Sequence, residues 1–306
     1  MVLAPMANVT DAAFRRVIAK YGKPDVMWTE FVSADGLMSP GREVLLRDFD
    51  YTEAERPIVA QLFTGHADKM REASALAARL GFDGIDINMG CPDRAVEKQG
   101  GGAGMIKDKE NALAVLEAAR AGAPTLPISI KTRIGYNKNE IDTWIRFLLE
   151  QKLPALTVHL RTRKEMSDVP AHWELMSEII RLRNEISPET LILGNGDVLS
   201  TEDGKIKVIE TGCDGVMIGR GIFGNPWCFS DRSSDKISIK EKLEVLVEHT
   251  HLFEKLLGDI KSFAIMKKHF KAYISGWDGA KELRVRLMET NSADEVDKII
   301  KEYLTR

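Results

Sequence analysis

The sequence predicts an α/β chain: a (β/α)8 TIM barrel over residues 1–232, followed by a small C-terminal all-α helical domain over 238–306. Three observations carry this reading. Eight short apolar runs, each followed by a helical pattern, recur within about 225 residues, close to the ~250 that such a barrel takes. Strands that are apolar throughout and alternate with helices belong to a parallel sheet covered on both faces. From about Ser238 the strand signal stops, and "IKEKLEVLVEHTHLFEKLLGD" and the segments after it read as helix to the end. A doubly wound sheet satisfies the same periodicity and stays open as the alternative.

The runs are "VLAPM" (2–6), "DVMWTEF" (25–31), "PIVAQLF" (57–63), "GIDINMG" (84–90), "PISIKTRIG" (127–135), "ALTVHL" (155–160), "TLILGNGD" (190–197) and "GVMIGRG" (215–221). Between them, segments such as "ADKMREASALAARLG" (67–81) place apolar residues at helical spacing and end on a glycine suited to a C-cap. "FSDRSSDKIS" (229–238), rich in serine and aspartate, reads as the linker.

Composition narrows the class. With 44% hydrophobic and 29% charged residues, the 306-residue chain is an ordinary globular protein. A net charge of -3 gives no global attraction to nucleic acid or membrane, so such binding needs a local patch. Three cysteines make no disulfide framework and point to a reducing compartment. "MVLAPMANVTD" lacks the marks of a signal peptide, and no apolar run approaches the ~20 residues of a membrane span. The expectation is a cytoplasmic protein without membrane contact, a monomer with no evident protein partner.

Barrels of this kind build their sites at the C-terminal ends of the strands. Those positions hold Pro5 and Met6, Glu30, Gln61, Asn88 with Cys91, Lys131 with Arg133, His159 with Arg161, Asn195-Gly196-Asp197, and Gly219-Arg220. Their co-location on one mouth carries more weight than any single member. "GNGD" and "GRG" end the last two strands, where backbone N–H groups commonly bind phosphate; the alternative is that these glycines only make tight turns. "GGGAG" (100–104) reads as a flexible lid or turn. Lys131 is costly to bury unless an anion meets it, either a bound ligand or an acid such as Glu30 or Asp197. Cys91 follows a strand, over the mouth. No metal is expected, because no second Cys or His lies at ligand spacing. Without an evident base to form a thiolate, its remaining chemical role is that of a general acid. An incidental loop thiol is the alternative.

"APMANVTD" (4–11), "TEFVSADGL" (29–37), "PIVAQLFTG" (57–65), "DGIDINMGCP" (83–92), "KTRIG" (131–135), "TVHLRTR" (157–163), "GNGDV" (194–198) and "GVMIGRGIFGNPW" (215–227) resemble the tRNA-dihydrouridine synthases. The tail "MKKHFKAYISGWDGAKELRVRLMET" (266–290) resembles that family's tRNA-binding domain. The resemblance implies bound FMN, reduced by NADPH as a transient donor. Hydride would pass to C6 of a uridine in tRNA, and the cysteine matching Cys91 would protonate C5. It implies FMN contacts at Pro5, Met6, Ala7, Gln61, Lys131, His159, Asn195, Gly196, Asp197, Gly219 and Arg220. Asn88 matches a residue that holds the uracil, and Arg161 is expected to bind substrate beside it. "RTRKEMSDVPAHW" (161–173) lacks the Tyr-x-Gly common in the family after the sixth strand.

The tail has chemistry for RNA. Residues 261–286 carry seven Lys or Arg against Asp278 and Glu282, a local excess of positive charge in an acidic chain. Phe263, Met266, Phe270 and Ile274 form one helical face. Lys261, Lys268 and Lys271 point largely the other way, and Lys267 joins them as a candidate phosphate contact. A solvated lysine face is the plainer explanation. A barrel acting on a free pyrimidine, in the manner of dihydroorotate dehydrogenases, would not need this tail.

Overall fold

The computed structural model describes residues 1–232 and 236–305; residues 233–235, inside the predicted linker, lie outside the described residues. All eight expected runs form strands: β1 (Val2–Leu3), β2 (Met27–Ser33), β3 (Ile58–Phe63), β4 (Gly84–Met89), β5 (Ile128–Arg133), β6 (Ala155–His159), β7 (Leu191–Asn195) and β8 (Gly215–Ile218). They lie in the order β1-β8-β7-β6-β5-β4-β3-β2 with parallel neighbours. A parallel bridge from Val2 to Val26 brings the two edges together. This is a nearly closed barrel, and the doubly wound alternative falls. β1 is shorter than its apolar run. Ala4 N–H still reaches the Ile218 carbonyl at 2.9 Å, but Pro5 has no N–H to continue the ladder.

The period of two along each strand divides the side chains. Ile85, Ile87 and Met89, Ile128 and Ile130, Leu156 and Val158, and Ile192 join the large core beneath the surrounding helices. The alternate residues form the interior. Its lower part is a small apolar plug of Val2, Ala4, Trp28 and Met217, with Val59 and Leu193 against it. Above the plug the same parity brings in polar side chains, among them Gln61, Asp86, Asn88, Lys131, His159 and Asn195. Pairing sets Gln61 level with Asp86, Asn88 with Lys131, and His159 with Asn195.

After the barrel come the helices Ile239–Leu257, Met266–Tyr273, Ala280–Met288 and Ala293–Leu304. Ser238 and Ser292 cap the first and last, each accepting a backbone N–H. These helices pack onto the barrel. Phe14 lies 4.8 Å from the rings of both His249 and His269, which are 4.5 Å apart. Burial drives both imidazoles to the neutral form, His269 to a pKa of about 3. A Cβ on Gly224, in the loop after β8, would meet the Ala272 backbone at 2.4 Å, so the helix Met266–Tyr273 sits close on that loop. Among the described residues no helix is long and apolar enough to cross a membrane.

Candidate active site

The strand ends enclose a cavity lined by Pro5, Met6, Lys131, His159, Arg161, Ser167, Asn195, Gly196, Asp197, Leu199, Gly219 and Arg220, among others. Its chemistry follows from how each charge is held. Lys131 Nζ donates to Asn195 Oδ1 at 3.2 Å, and Asn195 Nδ2 donates to the Met217 carbonyl. Burial and the neighbouring Arg133 push the lysine down to about 8. The acids suggested as its partners are engaged elsewhere. Glu30 pairs with Lys261 and Asp48 also reaches that lysine, while Asp197 pairs with Arg161 and Arg220. Lys131 therefore faces the cavity with a neutral amide as its hydrogen-bond partner.

His159 is neutral as well. Burial, then Arg133, Lys131 and Arg161, hold its pKa well below the usual value. Arg161 Nη1 lies 3.0 Å from His159 Nε2, and a guanidinium only donates. Nε2 must accept, which puts the ring proton on Nδ1 and makes that edge a donor. Arg161, 2% exposed, also donates to Asp197 and to the Val169 carbonyl, and Ala171 N–H completes the shell of Asp197. The guanidinium ties β6, β7 and the loop 161–173 together. The arginine's hydrogen bond is the first cause of the lowered Asp197 pKa. Asp197 sits at φ 53° and Gly196 at φ 120°. A Cβ on Gly196 would come within 2.8 Å of Ala171, so glycine is required there for both reasons.

Cys91 stands at the exit of β4, partly exposed and free of any disulfide. Its loop is held through the backbone. Cys91 N–H and Gly90 N–H donate to Asn88 Oδ1 at 2.9 and 3.1 Å. Arg133 Nε donates to the Gly90 carbonyl and Arg163 Nη2 to that of Pro92. Ala103 N–H donates to the Cys91 carbonyl. Of the two readings of "GGGAG", flexible lid or turn, the structure shows the turn: Gly100 lies in one, and Gly102 opens the short 3-10 helix Gly102–Lys107. Gly101, Gly102 and Ala103 are buried, and Gly102, at φ 57°, leaves no room for a Cβ beside Cys91. Residues 101–103 thus form a buried prop, while Gly100 is exposed. Burial, with a smaller push from Asp93, raises the Cys91 pKa above its ordinary value, so the thiol keeps its proton at neutral pH. No cluster of three or more metal-ligating side chains occurs among the described residues.

The family model described as Dihydrouridine synthase (Dus) matches residues 2–306. The chain belongs to the dihydrouridine synthase family. It is 42% identical over 305 residues to "Probable tRNA-dihydrouridine synthase" of Staphylococcus aureus (strain COL), covering 99% of this chain and 92% of that one. It is 41% identical over 305 residues to "Probable tRNA-dihydrouridine synthase 2" of Bacillus subtilis (strain 168), covering 99% and 93%. Among solved structures, morphinone reductase superposes with a TM-score of 0.54 at 13% identity, over 74% of this chain and 83% of that one, a likeness of fold alone. Membership makes this chain an oxidoreductase of the tRNA-dihydrouridine synthase kind.

The cavity gathers nine of the positions expected to touch a cofactor: Pro5, Met6, Lys131, His159, Asn195, Gly196, Asp197, Gly219 and Arg220. Ala7 is exposed and outside the lining, whereas Gln61 and Asn88 are buried in the barrel interior. In the tail, Lys268 and Lys271 are exposed and Lys267 partly so, opposite the buried Met266, Phe270 and Ile274. Lys261 departs from the expected pattern. Its ammonium is sealed against Glu30 at 2.6 Å and Asp48 at 2.7 Å, so it does not join the outward lysines. Two features were missed. Ser167, from the loop without Tyr-x-Gly, lines the cavity. Asp86 is fully buried beside Gln61, and its shared parity with Asn88 was the available signal.

Proposed function

We propose that this chain reduces the C5–C6 double bond of uridines in tRNA, with FMN bound in the cavity and NADPH as the transient electron donor. The observation that carries the reading is a cavity-lining lysine with no carboxylate in its hydrogen-bond shell, and a protonated thiol at the exit of the neighbouring strand β4, outside the cavity lining but close enough for the two charges to act on each other. Bound FMN supplies the hydride chemistry. Lys131 offers positive charge to an electron-rich ring edge, and His159 Nδ1–H offers a hydrogen bond. Gly196, Gly219 and Arg220 offer backbone approach and charge to a phosphate. Asn88 holds the uracil and Arg161 braces the wall on that side. Cys91 gives its proton to C5. The substrate base must leave its stack to enter the mouth. Residues 1–232 act as the catalytic unit and 238–306 as the tRNA-binding one, with Lys267, Lys268 and Lys271 on phosphates.

Cys91→Ala tests the central role. The variant is expected to keep its yellow colour and its NADPH oxidation, and to lose dihydrouridine formation by ~100-fold or more, the usual worth of a general acid. Unchanged product formation removes Cys91 from the reaction. A purified protein that stays colourless after FMN is added removes the cofactor.

A further inference from the structure

Asp86 is 0% exposed, inside the barrel, and the chemistry above gives it no task. Its carboxylate takes the Ser129 hydroxyl on Oδ1 and Gln61 Nε2 on Oδ2, both at 2.6 Å. Gln61, also 0% exposed, must then turn Oε1 outward, where Asn88 Nδ2 donates to it at 3.1 Å. That bond in turn fixes Asn88 Oδ1 on the N–H groups of Gly90 and Cys91. We propose that Asp86 is a positioning residue, an acceptor-only anchor that sets the direction of the Gln61 and Asn88 amides and so holds the Cys91 loop in place.

The argument is one of donors and acceptors. An ionised carboxylate only accepts, and the backbone N–H groups at the other end only donate. Between these fixed ends two amides have a single consistent orientation. Reversing either would set two donors or two acceptors against each other in a buried space, a cost comparable to losing a buried hydrogen bond. Burial raises the Asp86 pKa to about 6, opposed by Ser129, Gln61 and Lys131, so the carboxylate is mostly ionised at neutral pH. The catalytic consequence rests on the reading of Cys91 as proton donor; the restraint on its loop does not.

The test reads alkylation of Cys91 by iodoacetamide in cofactor-free protein at fixed pH, followed by mass spectrometry of the Cys91 peptide. Cys213 and Cys228 are buried and give internal controls. Asp86→Leu removes the anchor and Gln61→Met breaks the chain at its middle. Each is expected to speed alkylation about tenfold, the effect of one lost buried polar restraint. Asp86→Asn keeps a carbonyl acceptor for Gln61 while Ser129 turns to accept its amide, so it should stay within about twofold of wild type. Wild-type rates in both Asp86→Leu and Gln61→Met, with folded circular dichroism spectra, overturn the proposal. Equal acceleration in Asp86→Asn and Asp86→Leu also overturns it, because charge and not acceptor geometry would then be at work. If Asp86→Leu fails to fold, Gln61→Met and Asp86→Asn decide. Failure of Cys91→Ala to lose activity would remove the proton-donor role and leave this result standing.

Discussion

Two enclosed lysines on different sides of the barrel mouth are held by opposite means. Lys261, from the helical region, meets Glu30 and Asp48 at 2.6 and 2.7 Å. Burial alone would lower its pKa, but the two acids outweigh it and the pKa is raised. Lys131, on β5, has an amide oxygen at 3.2 Å and an arginine nearby, and it falls to about 8. The first lysine finds its anions within the chain and so fastens the helices to β2. The second has only the more distant Asp86 carboxylate to offset burial and Arg133, and gains most from an anion that arrives. One residue type thus serves docking on one side and, in the proposed function, ligand capture on the other, and the distinction lies in the partners.

The largest effect should come from breaking the first. Lys261→Met leaves Glu30 and Asp48 facing each other in a buried site, with Asp11 close enough to raise Glu30 further. The expected loss is about 3 kcal/mol, typical for removing one member of a buried pair, read as a lower urea midpoint at pH 7.5. The loss should shrink in acid. Glu30 has a folded pKa of about 7 against 4.5 for the free group. A raised carboxylate contributes stability below its unfolded value, and that contribution fades as pH rises through about 7. Losing Lys261 pushes the folded value higher still, so the gap between variant and wild type should be narrower at pH 5.5 than at pH 8. A pH-independent gap would mean that the contact is packing and not charge.

Lys131→Met should act with the opposite sign. The unfolded chain keeps this proton up to 10.5 and the folded chain only to about 8, so at neutral pH the charge costs the fold. Its removal is expected to raise the melting temperature of cofactor-free protein, a gain of ~1 kcal/mol of the kind seen when a functional strain is relieved. If FMN binds in the cavity as proposed, the stability it adds to wild type should be reduced in the variant. A melting temperature that drops as in Lys261→Met would erase the contrast between the two lysines.

The strands were legible because their signal is local. A run such as "GIDINMG" carries its own alternation, and the polar half of that alternation marked the residues above the apolar plug. The same alternation sets Lys131, His159 and Asn195 at the strand ends. Lys261 escaped it. Its partner Glu30 lies 231 positions away, and helical periodicity predicts which face a side chain takes without saying what packs over that face. Asp86 escaped for another reason: alternation sets it on one side of β4 with Asn88, and only the closed barrel encloses that side. The glycines of 100–104 read as a lid or a turn because glycine permits either, whereas the missing side chain of Gly102 is what admits Cys91 at close range.

The smallest effect sharpens the same comparison on the outer surface. Lys268 and Lys271 are exposed, and the helix that carries them sits on the loop after β8, at the mouth. If they meet tRNA phosphates, Lys268→Ala and Lys271→Ala should each weaken tRNA binding severalfold. Each should also reduce the slope of log affinity against log salt by about 0.7–0.9, the release of roughly one counterion. Neither should move the urea midpoint by more than ~0.5 kcal/mol, as expected for exposed positions. Lys261→Met gives the matching control. Because its ammonium is spent on Glu30 and Asp48, the salt slope should stay at the wild-type value even though stability falls. A slope lowered by Lys261→Met and untouched by the two outer lysines would reverse the assignment of which cations face the RNA.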